Sequence, residues 1–346
     1  VGAEKVDIRA LTQVELIDFF KSIGEPKYRA DQVYKWLWQK SVKDFDAMTN
    51  LSLPVRTKLK DTFVIRELRI SDQQVSNDGT VKYAFEMHDG RVVEGVLIPT
   101  EKRMTACISS QVGCSLACAF CATGQLKRMR NLAYSEIYDQ VVEINREAQE
   151  RYGKSLTNIV YMGMGEPLLN YKNTMESVAK ITGEDSLNMA SRRITVSTAG
   201  IAKQIRQLGD DEIKFNLALS LHAANDEKRS KMMAINDSNN LDSLADALNY
   251  YYRKTKNTVT FEYIIFKDIN DSIDDAKDLL AFCKRVPSKV NIIEYNTVEG
   301  TEFRKADETK VDRFQTYLES HGVIAKVRRS RGKDIDAACG QLANKT

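Results

Sequence analysis

Between residues 104 and 295, six short apolar runs rich in β-branched residues recur, at 104–110, 157–163, 193–199, 215–222, 258–266 and 289–295. Stretches with apolar residues at helical spacing lie between them. The clearest is 135–151, where Ile137, Val141, Ile144 and Ala148 fall at i, i+4, i+7 and i+11. Ser135 is a candidate N-cap for it. Further helices read at 241–255, 272–285 and 309–321. Strands that alternate with helices pair in parallel, because each crossover returns the chain over one face of the sheet in a right-handed sense. The pattern predicts an α/β fold, either a partial or complete barrel or a doubly wound sheet. Both gather functional side chains at the C-terminal ends of the strands.

The first hundred residues read differently. Helical spacing appears at 11–24, 29–40 and 51–63, with Pro54 near the first turn of the third stretch. Trp36 and Trp38 share the second stretch, and at least one of them is expected in a core. Residues 80–87 and 91–98 alternate apolar and polar side chains around Asp89-Gly90, which predicts a β-hairpin. With 42% hydrophobic and 29% charged residues in 346, the chain has ample material for a core. No apolar run reaches the roughly 18 residues that a membrane span needs. The net charge is only +3. Affinity for nucleic acid must therefore come from local clusters, here 127–130 (KRMR) and 326–333 (KVRRSRGK).

The six cysteines are Cys107, Cys114, Cys118, Cys121, Cys283 and Cys339. The start of the chain carries no secretory leader pattern, so a reducing, cytoplasmic setting is expected. In that setting, four cysteines between residues 107 and 121 read as a metal site or redox chemistry, not as a disulfide framework. Cys114, Cys118 and Cys121 follow the first strand of the series with C-x3-C-x2-C spacing. Three thiolates on a tight loop suit three corners of a cubane cluster, whose usual four-cysteine ligation is then one short and leaves an iron open. Gly113 and Gly124 flank the loop. The competing reading is one zinc ion with Cys107 as fourth thiolate, which would make the chain a non-catalytic zinc RNA-binding protein. Cys283 reads as core packing, and His88 and His321 as surface residues. The turn Gly163-Met164-Gly165-Glu166-Pro167 follows the second strand. Its exposed backbone and carboxylate suit a charged amino group, and it lacks the dinucleotide-binding spacing. Ser197, then Ser220, Leu221 and His222, and finally Asn296 end the third, fourth and sixth strands. Gly340 beside Cys339 predicts a mobile turn. Lys326, Arg328, Arg329, Arg331 and Lys333 are expected to give that thiol a positive setting. Glu94, taken alone, reads as a solvated residue on a strand face.

C-x3-C-x2-C with Phe120 before the last cysteine resembles the radical S-adenosylmethionine (SAM) superfamily. The segments 107–114, 120–124, 162–167, 197–200, 219–222 and 334–342 resemble the RNA adenine methyltransferases of that superfamily, over about residues 10–343. The wording is nearest to the RlmN type, whose sister group is Cfr. The resemblance implies a partial (β/α)6 TIM-like barrel over 104–323 with a small N-terminal α-helical accessory domain for RNA recognition over 1–75. A β-hairpin linker over 76–103 and a C-terminal strand and tail over 324–346 complete it. It implies a [4Fe-4S] cluster on Cys114, Cys118 and Cys121 and two SAM molecules per turnover. Gly165 and Glu166 would meet the methionine end of SAM, and Ser197, Ser220, Leu221, His222 and Asn296 would complete its pocket. The implied activity is methylation of adenosine C2 in 23S rRNA, at the peptidyl transferase centre, and in tRNA next to the anticodon; the sister group methylates C8. Aromatic C2 is not nucleophilic, so the cofactors must carry the hard step. By resemblance Cys339 becomes an S-methylcysteine, its methylene adds to the base after radical activation, Cys107 closes a disulfide with Cys339, and Glu94 removes the C2 proton. The implied partners are 23S rRNA and tRNA and an electron donor such as flavodoxin or ferredoxin, with no membrane and a monomeric enzyme.

Overall fold

In the computed structural model, residues 5–344 are described. Three helices lie where the spacing predicts them: α1 (Gln13–Ser22), α2 (Tyr28–Trp38) and α3 (Leu53–Thr62). Thr12 and Glu15 start α1 with a reciprocal cap, in which Thr12 Oγ1 accepts from the Glu15 amide at 3.2 Å and Glu15 Oε2 accepts from the Thr12 amide at 2.7 Å. Pro54 occupies the first turn of α3, where no intrahelical amide bond is lost. The buried faces of these helices join the main core of the molecule.

Ten strands form one open sheet. They are β1 (Arg69–Val75), β2 (Val81–Glu86), β3 (Val92–Pro99), β4 (Met104–Cys107), β5 (Asn158–Tyr161), β6 (Ile194–Thr198), β7 (Asn216–Ser220), β8 (Val259–Ile265), β9 (Ser288–Glu294) and β10 (Ala325–Arg328). The six predicted strands are β4 to β9. They run parallel in sequence order, and β10 extends the parallel run. The predicted hairpin is β2 and β3. It is lengthened by β1 and pairs antiparallel with β4, so it continues the barrel's own sheet. The architecture is the expected partial α/β barrel with an N-terminal helical unit.

The helices between strands are α4 (Tyr134–Tyr152), α5 (Tyr171–Thr182), α6 (Ala202–Asp210), α7 (Asp226–Met232), α8 (Leu241–Thr255), α9 (Ile273–Arg285) and α10 (Glu308–Ser320). Ser135 is not the cap of α4. Ala133 holds that position, its amide donating to Glu136 Oε2 at 2.8 Å, and Ser135 lies buried inside the first turn. The N-terminal unit docks on α4 through Trp38, which is buried, stacks on Tyr134 at 5.6 Å and meets Tyr138 edge-on at 5.2 Å. Arg9 adds a bidentate pair to Asp139, both bonds 2.7 Å. Cys283 packs half-buried against the main core, and His88 and His321 are exposed. No helix among the described residues is long and apolar enough to cross a membrane.

Candidate active site

The cysteine loop leaves the end of β4 and is shaped by close backbone approach. Gly113 has φ +72°, and a Cβ there would stand 2.4 Å from the Lys127 carbonyl oxygen. A Cβ on Gly124 would stand 2.7 Å from that of Cys118. Both positions need glycine, as the sequence suggested. The loop is pinned from two sides: the Ala119 amide donates to Met232 at the end of α7 (3.0 Å), and the Ala122 amide donates to Gly340 (2.8 Å). Cys114, Cys118 and Cys121 are half-buried by exposure. Burial pushes their thiols up, Cys114 to about 11, and for Cys114 and Cys118 the negative charge of the neighbouring cysteines pushes the same way. Such a crowd of sulfurs favours a cationic guest that takes the protons' place. Among the described residues, no three His, Cys, Asp or Glu side chains close on one point as a single ion requires. A tetrahedral zinc site needs its ligands on one ion, whereas three corners of a cubane are separate irons.

Beside the loop, Gly165 takes φ +95°, and a Cβ there would lie 2.5 Å from Gln111 Cβ. This turn delivers Glu166 into the interior, 4% exposed. Its Oε1 accepts from the Leu168 amide (3.0 Å) and its Oε2 from the Ala199 amide (2.8 Å). Burial pushes its carboxyl up to about 7. The side chain has amide donors and no cation, so an incoming ammonium group would hold it ionised. Ser197 donates to the Tyr161 carbonyl at 2.9 Å. Ser220 is half-buried and Leu221 fully buried. His222 is buried with φ +56°, a backbone state that costs a non-glycine residue about 1–3 kcal/mol. Its Nδ1 accepts from the Ile264 amide at 3.1 Å, so the ring proton sits on Nε2. Burial pushes its pKa down to about 3, and the charge of Arg229 adds to that, so the ring is neutral. Phe120 packs edge-on against it at 4.9 Å. Asn296 is buried, and its Oδ1 has no hydrogen-bond partner.

The tail brings Cys339 to the same place. Asn296 Nδ2 reaches the Cys339 carbonyl (3.4 Å) and Ser330 Oγ (3.0 Å), and Thr123 Oγ1 donates to the Leu342 carbonyl (2.5 Å). Cys107, the last residue of β4, is buried. Burial raises its thiol, and a charge on Cys339 raises it further. Cys339 itself is exposed on one side. The surrounding protein pushes its thiol up to about 11, and the next cause is the buried carboxylate of Glu262. The expected positive setting is therefore corrected. Lys333 and Arg329 are drawn to Glu294, at 2.8 and 3.8 Å, and Arg331 donates to the Asp78 carbonyl at 3.0 Å. In the other basic run, Arg130 is tied to Glu136 and Asp89, each at 2.7 Å. Lys127 and Arg128 remain exposed.

Glu94 is not a solvated strand residue. It is 2% exposed, because it points to the sheet face opposite helix α4, where Lys82 and the C-terminal tail cover it. Its Oε1 stands 3.5 Å from Nζ of the equally buried Lys82, and its Oε2 accepts from the amides of Ala343 (2.8 Å) and Asn344 (3.2 Å). Sequence reasoning missed Lys82, Glu262 and Arg229. All three are charged residues that only the assembled sheet buries.

Two family models match the chain: the ribosomal RNA large subunit methyltransferase N-terminal domain over residues 6–65, and the radical SAM superfamily over residues 108–282. A probable dual-specificity RNA methyltransferase RlmN from Cytophaga hutchinsonii is 56% identical over 99% of this chain and 94% of its own length. Another from Christiangramia forsetii is 54% identical over 100% of this chain and 98% of its own. A radical SAM methyltransferase crystal structure from Sphaerobacter thermophilus superposes with a TM-score of 0.91 at 39% identity, covering 97% of this chain and 99% of that one. The superfamily works with a [4Fe-4S] cluster and SAM, and the glycine-shaped cysteine loop and the cation-seeking Glu166 fit those two groups. The chain belongs to the RlmN family of radical SAM methyltransferases.

Proposed function

We propose that the protein methylates C2 of adenosine in 23S rRNA, at the peptidyl transferase centre, and in tRNA next to the anticodon. Family membership supports RNA methylation, and the name shared by its relatives supports two classes of RNA. One observation carries the mechanism: the Cys339 tail is seated on the cysteine loop, through Gly340 on Ala122 and Leu342 on Thr123, with Cys107 within electrostatic reach.

Cys114, Cys118 and Cys121 hold the cluster, and Glu166, Gly165, Ser197, Ser220, Leu221, His222 and Asn296 hold SAM. When bound, the pair supplies the hydrogen abstraction that polar chemistry cannot deliver at C2. Cys339 carries the methyl group in and joins the base through it. Cys107, at the strand end below, resolves that adduct by forming a disulfide with Cys339. Glu94 takes the C2 proton, after the tail amides of Ala343 and Asn344 release its carboxylate. The N-terminal helices and the exposed Lys127 and Arg128 contact the RNA backbone. The target base leaves its stack to reach the pocket. The enzyme acts in the cytoplasm as a monomer and draws electrons from flavodoxin or ferredoxin.

Replacing Cys107 by alanine tests this reading. The reconstituted Cys107→Ala protein, given SAM and RNA, is expected to accumulate a covalent protein–RNA species that runs as a shifted band on a denaturing gel. A variant that takes up its cluster and gives no such band contradicts the reading.

A further inference from the structure

A buried guanidinium needs a carboxylate or an equivalent anion, because a lone charge inside a protein is strongly disfavoured. Arg229, on α7, is fully buried and has neither bonded to it among the described residues. Its donors go to neutral acceptors: Nε to the Leu221 carbonyl (3.1 Å), Nη1 to Asn236 Oδ1 (2.8 Å), and Nη2 to the carbonyls of Ala199 (2.6 Å) and Ser220 (3.3 Å). Asp226, a carboxylate whose charge acts on Arg229, spends its Oδ1 on Asn236 Nδ2 and the Leu241 amide, both 3.0 Å.

What surrounds Arg229 is the site. Met232, one turn further along α7, takes the Ala119 amide from the cysteine loop. Phe120, Cys118, Cys121, Met232 and Met233 share one apolar cluster. The Ala199 peptide lies between two unmatched charges, its amide on Glu166 and its carbonyl on Arg229. A cationic ligand at Glu166 and an anionic one beside Arg229 would match both. Once Cys118 is a metal-bound thiolate, its charge lies within electrostatic reach of Arg229.

We propose that Arg229 is the counter-charge of the cysteine-bound iron–sulfur cluster and the clamp on the strand ends beneath SAM, a positioning residue that makes the cluster easier to reduce. The inference rests on the cluster reading above. A fixed positive charge next to the thiolates favours the extra electron, so its removal disfavours the reduced state.

The test uses the full chain, reconstituted anaerobically without RNA, with the reduced cluster followed by electron paramagnetic resonance at set potentials. At the potential that half-reduces the wild type, Arg229→Gln is expected to show a reduced-to-oxidised ratio about tenfold lower, about 59 mV for a one-electron couple. Arg229→Lys keeps the charge and is expected to titrate close to wild type while binding SAM more weakly, because the fork that pins Ala199, Ser220 and Leu221 is gone. Should Arg229→Gln take up no iron, the double exchange Asp226→Asn with Asn236→Asp decides. It moves a carboxylate onto Nη1 without changing net charge, and the ratio must fall in the same direction. An iron-replete Arg229→Gln or exchange variant at the wild-type ratio overturns the proposal, even if SAM binding weakens. A wild-type chain that yields no iron–sulfur signal at all overturns the cluster reading as well.

Discussion

Glu166 shows how one residue joins fold stability to ligand chemistry. Its carboxyl is raised by burial from 4.5 to about 7. A carboxyl raised on folding holds its proton in the folded state over a range where the unfolded chain has lost it. Stability is thus full below about pH 4.5 and declines as pH climbs through 7, by about 3 kcal/mol in all. Glu262, also raised to about 7 by burial, pushes the same way. His222, pushed down to about 3, acts the other way until about pH 6.5, but the two carboxyls together outweigh one imidazole. Stability of the SAM-free protein to denaturant is therefore expected to fall between pH 5 and 8, and Glu166→Gln is expected to make that fall clearly shallower. A Glu166→Gln protein with the wild-type slope would show that the carboxyl is not strained in this way. Other residues at this scale were not legible in the sequence. Glu94 sits on a strand whose alternation predicts an outward face, and only the return of the C-terminal tail over that face, beside Lys82, buries it. Arg229 belongs to DEKRSKM, a stretch that reads as a solvated helix until it docks on the strand ends at Ala199, Ser220 and Leu221.

At the scale of elements, the parallel strands were legible because each is a β-branched run that both faces of the sheet bury. Strand β1, RISDQQV, was not, since an edge strand with polar side chains carries no apolar signal. Helices α5, α6 and α7 were passed over, the last because its burial comes through a charged residue. The turn after β5 decides the shape of the site. Gly165 at φ +95° brings the backbone against Gln111, whose Oε1 accepts the Glu166 amide at 2.8 Å. Gly165→Ala combines a disfavoured backbone with a 2.5 Å contact. It is expected to cost at least about 1–3 kcal/mol in thermal or denaturant unfolding. It should also weaken SAM binding, because the turn that aims Glu166 must shift. An alanine variant with wild-type stability and SAM affinity would contradict this role for the turn.

Across the whole molecule, a net charge of +3 leaves RNA affinity to a few exposed cations. Part of each basic run is committed internally, Arg130 to Asp89 and Glu136, Lys333 and Arg329 to Glu294. The sequence shows the runs and cannot show this pairing, which depends on residues far apart in the chain. Lys127→Glu with Arg128→Glu is expected to weaken RNA binding without lowering the unfolding midpoint. The salt dependence of binding should flatten by roughly 0.7–0.9 in log–log slope for each phosphate that the variant no longer neutralises. An unchanged slope would place the RNA elsewhere. The N-terminal helices share the main core, so their part in RNA binding is better probed by surface substitution than by deletion.

The most direct test of the central claim is nucleoside mass spectrometry of 23S rRNA and tRNA incubated with the reconstituted protein, SAM and a reductant. The wild type is expected to yield 2-methyladenosine in both RNAs, and a cluster-bearing Cys339→Ala variant none. Methylation by that variant, or 8-methyladenosine from the wild type, would contradict the claim.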